Sequence, residues 1–476
     1  MRKNAFTLIE LLAVIVILAI IALIAVPIVI NIITDAKEES LKRSINNYLD
    51  AVENTVAKEN LTHKYNPDTC EIQNDGNLIC SEKGNTILIS GNENILKVEI
   101  DGIKPNYGAI IIANSKITNI INLKVDNRYY AFDDKGNIET IEYKRTNLSP
   151  GIYDSQKKML ATWDELVSDY GLDIEKNQTD LLETQQEGSG ALYSIIYNLE
   201  DDKFADIETL ILPKTVTNIG AAAIQGIKSL KYIEVEEGNP VYEDRNSNAI
   251  IEKSTNTLIL GCENTIIPSD ITSIGAAAFA YSKLGNIIIP KAVNNIQAFA
   301  FYRCFELKNL IFQNGNNLNY IGPDAFQDAS LTSIVIPKNV ERIEHGTFDS
   351  AVKLTNIFFE NGSKLKYIDE YAFEECRELT NITIPNSVES IGSVAFSNCK
   401  SLTSIIIPSS VTRIEREAFS SCTNLTSVTF ENTMGWSIED SSDVTSRVFI
   451  NVTNANTNAN NLVYDYVLYY WNRTNS

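Results

Sequence analysis

From about residue 206 the chain repeats itself, and a short repeat fixes the architecture more tightly than any other property of a sequence. Triplets of the Ile-Leu-Pro or Ile-Ile-Pro type end at Pro213, Pro268, Pro290, Pro337, Pro385 and Pro408. In five of these six units a Phe follows 11 residues later: Phe279, Phe301, Phe348, Phe396 and Phe419; the first unit has Ile224 there. Two further units carry Ile311-Phe312-Gln313-Asn314-Gly315 and Phe358-Phe359-Glu360-Asn361-Gly362 in place of the Pro line, and rejoin the pattern at Phe326 and Phe373. A Val-x-x-Ile step such as Val388-Glu389-Ser390-Ile391 joins Pro to Phe, and a Cys or small residue then Leu follows, as in Cys399-Lys400-Ser401-Leu402. No unit of 22 to 25 residues can bury its own Ile, Val, Phe and Leu. Neighbours must therefore stack as turns of a solenoid and share one continuous core, each turn a short strand with a short helical or irregular return.

This consensus, Ile-x-Ile-Pro-x-x-Val-x-x-Ile-x-x-x-Ala-Phe-x-x-Cys-x-x-Leu, resembles the BspA-like class of leucine-rich repeat found on bacterial and protozoan surfaces. The resemblance covers about half of the chain and recurs eight times. Gly238-Asn239-Pro240-Val241-Tyr242 through Leu258-Ile259-Leu260 resembles a hairpin insertion seen in that class. The Ala-Phe pairs predict a column of rings along the core. Cys304, Cys376, Cys399 and Cys422 share one phase, three residues after the Phe. Buried small thiols are favoured there over redox or metal chemistry, because free Cys packs as a small hydrophobe; Cys262 lies off this phase and is unassigned. Solenoids need covered ends. Residues 434–476 leave the period and carry Trp436, Tyr464, Tyr466, Tyr469, Tyr470 and Trp471, which read as a C-terminal cap rather than a ligand-stacking platform.

The other end of the chain is of a different kind. Leu11 to Ile30 is a run of 20 residues without a polar side chain, long enough to span a bilayer as a helix. One carboxylate, Glu10, stands at its mouth, where a charge is costly and implies a specific partner. Arg2 and Lys3 precede it, and positive residues hold that end in the cytoplasm. The small residue Ala5 lies before the apolar core, whereas a secretory signal places its cleavage site after a shorter core.

Met1-Arg-Lys-Asn-Ala-Phe-Thr-Leu-Ile-Glu10 and the run after it resemble the N-terminus of the type IV pilin and pseudopilin family over about the first 60 residues. The resemblance implies cleavage by a prepilin peptidase between Ala5 and Phe6, N-methylation of Phe6, and pairing of Glu10 with the Phe6 amine of a neighbouring subunit during assembly. A buried carboxylate and a buried ammonium then offset each other's desolvation. Pro27 matches the bend that family tolerates, while Ala5 departs from the usual Gly. An uncleaved single-span anchor is the plainer alternative.

Residues 34–60 continue as an amphipathic helix with Leu41, Ile45, Tyr48, Leu49, Val52 and Val56 on one face, ending near Asn60 and Tyr65-Asn66-Pro67-Asp68. Short apolar runs follow between turn residues: Ile87 to Ile89, Leu96 to Ile100, Ala109 to Ala113 and Lys124 to Phe132, with Asp133 to Asn137 as a hairpin turn. Cys70 and Cys80 lie close together in a part expected outside the cell, which favours a disulfide closing that loop over two free thiols.

The expected fold class is α+β: a long N-terminal pilin helix with a small antiparallel sheet, followed by a leucine-rich-repeat solenoid. The domains are a leader at 1–5, a membrane and filament-core helix at 6–60, a β head at 61–145, a connector and N-terminal cap at 146–205, the solenoid at 206–433 and the C-terminal cap at 434–476. Within the connector, Leu160 to Tyr170 reads as a short helix and Gln185 to Gly190 as a turn or linker.

Charge and composition exclude several classes. The formal net charge is −21, and loss of Arg2 and Lys3 with the leader takes it to −23. That argues against nucleic acid as a partner of the repeats and suits an exposed, soluble body. His63 and His345 are the only histidines, there is no phosphate loop and no paired Cys/His spacing, so no enzyme and no cofactor or metal is expected. Asp244-Arg245-Asn246-Ser247-Asn248 lacks the Gly and distal Glu of a calcium loop and reads as a turn. The sequence therefore suggests a minor pilin-like surface subunit presenting its repeats for adhesion or for a protein or glycan ligand. It would sit in the cytoplasmic membrane before assembly and at the cell surface or in a filament afterwards, with other pilin subunits and the prepilin peptidase as partners. A pseudopilin of a secretion or DNA-uptake machine, or an unprocessed anchored repeat protein, are the alternatives.

Overall fold

The computed structural model describes residues 8–63, 67–82, 85–86, 95–133, 135–141, 143, 145–168, 207–220, 227–440 and 443–473; of these, the side chains of 8–31, 62–63, 82, 85–86, 166–168, 440 and 443–446 lie outside the description. Two compact units result, one of residues 1–80 and 88–140, the other of 81–87 and 141–476.

The first unit is a helix against a sheet. Helix α1 runs Leu8–His63, three residues past the expected stop at Asn60. Its apolar face is the one the spacing predicts: Leu41, Ile45, Tyr48, Leu49, Val52 and Val56 are all buried. The antiparallel sheet runs in the order Leu78–Glu82, Thr69–Ile72, Tyr107–Ala113, Lys116–Val125, Arg128–Phe132, Ile138–Ile141. Two hairpin turns are two-residue steps with both residues left-handed, Asn114-Ser115 and Asp126-Asn127, the geometry that matches strand twist. The second breaks the run Lys124 to Phe132, which the sequence reading took as one piece. The turn at 133–137 is a hairpin as expected, its Asp133 Oδ1 accepting from the Lys135 and Asn137 N–H groups at 2.8 Å each. The run Leu96 to Ile100 contributes only the strand Ile95–Leu96, and Ile87 to Ile89 lies outside the described residues.

The second unit is the solenoid. Its first long strand, Thr209–Leu212, is covered on one edge by a hairpin of Gly151–Tyr153 and Met159–Ala161 and pairs in parallel with Tyr232–Val235 on the other. Trp163 begins the short helix Trp163–Ser168 and donates its indole N–H to the Ile211 carbonyl, so this part of the connector closes the N-terminal end of the stack. The stretch 185–190 lies outside the described residues. An inserted meander follows, Tyr242–Glu243, Ala249–Glu252 and Thr257–Gly261, whose last strand pairs in parallel with Ser273–Ile274 and so starts a second ladder. The turn at 244–248 is structural: Asp244 is buried, its Oδ2 accepting from the Val235 N–H and from Arg145, each at 2.9 Å.

Later coils contribute one strand of four residues, such as Ser333–Ile336 or Ser404–Ile407, cut to Asn381–Ile382 in one of them, and one short strand of two residues, such as Arg342–Ile343, Tyr367–Ile368, Ser390–Ile391 and Arg413–Ile414. The short strands form a continuous parallel ladder. The return is not helical, which corrects one of the two forms anticipated from the sequence. It is a pair of turns set by left-handed residues two before and two after each Phe: Phe299 and Arg303, Asp324 and Asp328, Tyr371 and Glu375, Val394 and Asn398, Glu417 and Ser421. A left-handed non-glycine residue costs about 1–2 kcal/mol. Two such residues flank each ring, and burial of the ring between them offsets part of their joint cost. Phe279, Phe301, Phe326, Phe348, Phe373, Phe396 and Phe419 are buried and stack face to face, successive centroids 5.1 to 5.4 Å apart. Burying such a ring contributes about 1.5–3 kcal/mol. The turns also aim backbone N–H groups along the stack: Phe301 donates to Ala325, Phe348 to Ala372 and Phe396 to Ala418, at 2.8, 2.9 and 2.7 Å.

The alternation of Pro lines with Gln or Glu lines has a local cause. In the coils without Pro, the residue after the strand reaches back one coil to the N–H that follows the preceding Pro. Gln313 Oε1 accepts from Lys291, Glu360 Oε2 from Lys338, Glu236 Oε2 from Lys214 and Glu431 Oε2 from Ser409. Gly238, Gly315 and Gly362 then sit at φ of +89°, +70° and +78°, where a turn needs glycine.

Beyond the last coil the aromatics close the core. Strand Tyr469–Arg473 pairs antiparallel with Arg413–Ile414, and Trp436 and Trp471 are buried against Phe430. Asn458, also buried, donates to the carbonyls of Val428 and Val452. Trp436–Asp440 and Asp443–Phe449 extend the sheet outward as a hairpin.

Candidate functional site

Ala5 and Phe6 lie outside the described residues, and Glu10 belongs to α1 with its side chain outside them. Among the described residues no helix is long and apolar enough to cross a membrane; the side chains of the apolar run, residues 11–30, are not among those described. What the structure supplies for an assembly element is the way the exposed half of α1 is held to its sheet. Glu53 accepts from Lys116 Nζ at 2.6 Å and from the Ile117 N–H at 2.9 Å. Glu38 bonds Lys42, whose contact leads in holding its carboxyl below the usual range, and accepts from the Thr140 hydroxyl at 3.0 Å.

Cys70 and Cys80 are joined by a disulfide and are fully buried. The bridge ties strand Thr69–Ile72 to Leu78–Glu82, and the Tyr48 hydroxyl on α1 donates to the Gly76 carbonyl at the tip of the enclosed loop at 2.8 Å. The loop is thereby fixed to the helix from two sides.

From Asn309 onward the third residue along each strand line is not part of the buried core. Ile311, Val335 and Phe358 are half-buried there, while Thr383, Ile406 and Thr429 are exposed. The residue just before the Ile of each short strand forms another row: Tyr320, Arg342, Tyr367, Ser390 and Arg413. Arg342 lies over the Tyr367 ring at 4.2 Å and forks onto Asp369, its Nη1 at 2.6 and 2.9 Å from the two carboxylate oxygens. Arg413 lies over Tyr470 at 4.9 Å. Tabulating the residue before each Ile of Val-x-x-Ile finds this row, which the sequence reading passed over.

The returns carry an acidic row. Burial, with Asp349 nearby, pushes the Asp324 carboxyl up to about 7, and the same two causes push Glu374 up to about 7. Among the described residues no three His, Cys, Asp or Glu side chains are grouped to hold a metal. The thiols of Cys304, Cys376, Cys399 and Cys422 are buried and each donates to a Phe carbonyl of the previous coil. Cys262 is buried too, and its thiol donates to the Lys231 carbonyl at 3.1 Å; burial pushes it up to about 12. His345 packs edge-on to Tyr371, and His63 belongs to the other unit.

Comparison with known proteins agrees with this architecture. The profile of the "BspA type Leucine rich repeat region (6 copies)" matches residues 198–317, 249–364 and 353–464, more than half of the chain without a gap. The "Prokaryotic N-terminal methylation motif" matches residues 1–26. No curated protein matches. Among solved structures, a leucine-rich repeat protein from Eubacterium ventriosum is similar at 25% identity and a TM-score of 0.41, over 45% of this chain and 58% of that one. The chain thus spans less than two thirds of that protein. One from Bacteroides ovatus is similar at 22% and 0.26, over 47% and 72%, and one from T. pallidum at 24% and 0.26, over 38% and 67%. With a prokaryotic methylation motif at its head, the chain belongs to the BspA-type leucine-rich-repeat family.

Proposed function

We propose that the chain is a minor subunit of a type IV pilus-like filament, that its repeat domain is displayed at the cell surface to bind a protein or glycan, and that it carries no enzymatic activity. The match of residues 1–26 to the methylation motif carries this reading, because processing and membrane insertion are what such a motif implies. Glu10 is the fifth residue of the chain that cleavage after Ala5 leaves, where a carboxylate meets the methylated Phe6 amine of another subunit. A solenoid of this size is hard to accommodate at every position of a packed helical filament, which favours a minor or tip position. Its long stacked faces suit an extended partner, as in other solenoids. The closed, buried thiols and the scarcity of histidine support a binding role over catalysis.

Mass spectrometry of the N-terminal peptide of the native protein tests the first part. A peptide that starts at N-methylated Phe6 supports it, and one that starts at Met1 defeats it. Attachment of cells that lack residues 206–433 tests the second: attachment equal to wild type on every surface tried removes adhesion as the role.

A further inference from the structure

Five successive coils place threonine just before the strand line: Thr332, Thr355, Thr380, Thr403 and Thr426. The first residue of each line is serine or asparagine, and the third is Val, Phe, Thr or Ile. First and third residues share the face opposite the buried second and fourth. All of these side chains are exposed or half-buried, and none is charged. The other sides of the same coils are charged: Arg342 pairs with Asp369 along the short strands, and Asp349 and Glu374 lie on the returns. Lys308 holds the threonine phase in the coil before, so the neutral face starts at Thr332. At ordinary strand spacing and rise it measures about 19 Å by about 10 Å. Its strands run in register from Ser333 through Asn356 to Asn381, and from Ser404 to Ser427. The threonine hydroxyls are oriented. Thr355, Thr380 and Thr426 each donate to the carbonyl of the threonine one coil back, at 2.9, 3.2 and 3.3 Å. With the proton spent inside the stack, each Oγ1 can only accept from outside. Asn356 donates its amide to Thr355 Oγ1 at 2.9 Å, which leaves the other Oγ1 lone pair and its own Oδ1 as acceptors.

We propose that this face binds a neutral polysaccharide, whose hydroxyls donate to the threonine row and whose C–H faces lie on Val335, Phe358 and Ile406. The inference rests on the reading that the repeats bind a surface ligand, and names the chemistry of that ligand. A row of fixed acceptors suits a partner rich in donors, and a sugar chain carries a hydroxyl on most of its carbons. A polypeptide or an acidic glycan would bring charges that lose their water here with nothing opposite to pair them. A neutral sugar has no such charge to desolvate. The acceptors are held by the backbone of the preceding coil, so little further ordering is needed on binding. Ile406 is 57% exposed, and an apolar side chain gains by being covered.

The test is retention of the full chain, in a detergent without a sugar head group, on columns of neutral polysaccharides (xylan, mannan and an unbranched glucan) and of acidic ones (polygalacturonate and hyaluronate). Retention on at least one neutral polysaccharide, and elution by its soluble form, are expected. Thr403→Lys and Thr383→Lys, both at exposed positions, put a cation into the face. Each should weaken that retention about tenfold or more while the circular dichroism stays unchanged. Lys366→Gln, at an exposed ion pair on the short-strand side, should leave it as it is. Retention on acidic polysaccharides alone, or lysine variants retained like the wild type, overturns the inference and leaves the binding role of the repeats standing. Retention on none of the columns overturns it as well; the binding role itself falls only if cells that lack residues 206–433 also attach like wild type.

Discussion

The Cys422 thiol donates to the Phe396 carbonyl oxygen at 2.9 Å, one coil back along the stack. Cys399 does the same to Phe373, Cys376 to Phe348 and Cys304 to Phe279. The repeated cysteine is therefore a small buried hydrophobe whose thiol also reaches a carbonyl one coil back; Ser282, Ala329 and Ala351, likewise small and buried, hold the same phase in the other coils. Burial raises the thiols of Cys304, Cys376 and Cys399 well above their ordinary range, which suppresses the thiolate that does redox or metal chemistry.

A thiol reagent such as Ellman's reagent should accordingly find nothing in the folded chain and the five free thiols, Cys262, Cys304, Cys376, Cys399 and Cys422, once denaturant is added. Rapid labelling of any of the four stacked positions under native conditions means that its coil opens and that the ladder is not closed.

The ring column sets the cost of breaking the stack. Phe348 lies between Phe326 and Phe373 at 5.3 and 5.4 Å and is fully buried. Phe348→Ala should cost about 3–5 kcal/mol. Because each coil touches only its neighbours, the loss should appear in urea unfolding as a broadened or split transition rather than a simple shift. Phe348→Leu keeps most of the volume and should cost under half as much. A single sharp transition at the wild-type midpoint for Phe348→Ala sinks this account of the core.

Much of this was legible in the sequence, for a physical reason. Periodic burial leaves a periodic trace, so the face of α1 from Leu41 to Val56 and the phases of Phe and Cys read directly from spacing. What escaped was set by single backbone angles. Asp126 and Asn127 are left-handed and split a run of strand residues, yet nothing in Lys124 to Phe132 requires a break apart from that pair. Val394 and Tyr371 are left-handed as well, although β-branched and aromatic residues disfavour that region. Only the stacked neighbours, which no local pattern contains, hold them there. The row of Tyr320, Arg342, Tyr367 and Arg413 escaped for the converse reason: it occupies a variable position of the repeat, where chemistry differs from coil to coil.

The disulfide of the first unit acts on the helix through one hydroxyl. Cys70→Ser with Cys80→Ser should lower the stability of this unit by about 2–4 kcal/mol. Tyr48→Phe removes only the bond to the Gly76 carbonyl and should cost about 1 kcal/mol. If the loop were held by the bridge alone, Tyr48→Phe would leave hydrogen exchange across residues 73–77 unchanged; increased exchange with the disulfide intact is the expected result.

The acidic row gives the solenoid a pH dependence of definite sign. Asp324 and Glu374 both titrate near 7 when folded, pushed up from ordinary carboxyl values by burial and by Asp349. In the unfolded chain the same groups lose their protons near pH 4. Between these limits the unfolded state binds fewer protons than the folded one, so stability falls as pH rises. The favourable contribution is complete below about pH 4, declines through the window to about 7, and is gone above it. Glu374 is partly open to solvent, so Asp324 is the group to test. Asp324→Asn removes the charge and keeps a polar side chain at the same left-handed position, where asparagine is tolerated. Urea midpoints measured from pH 4.5 to 8 should fall for the wild type and fall less for Asp324→Asn, with the variant more stable at pH 8. Parallel curves for the two chains would falsify the assignment of that dependence to Asp324.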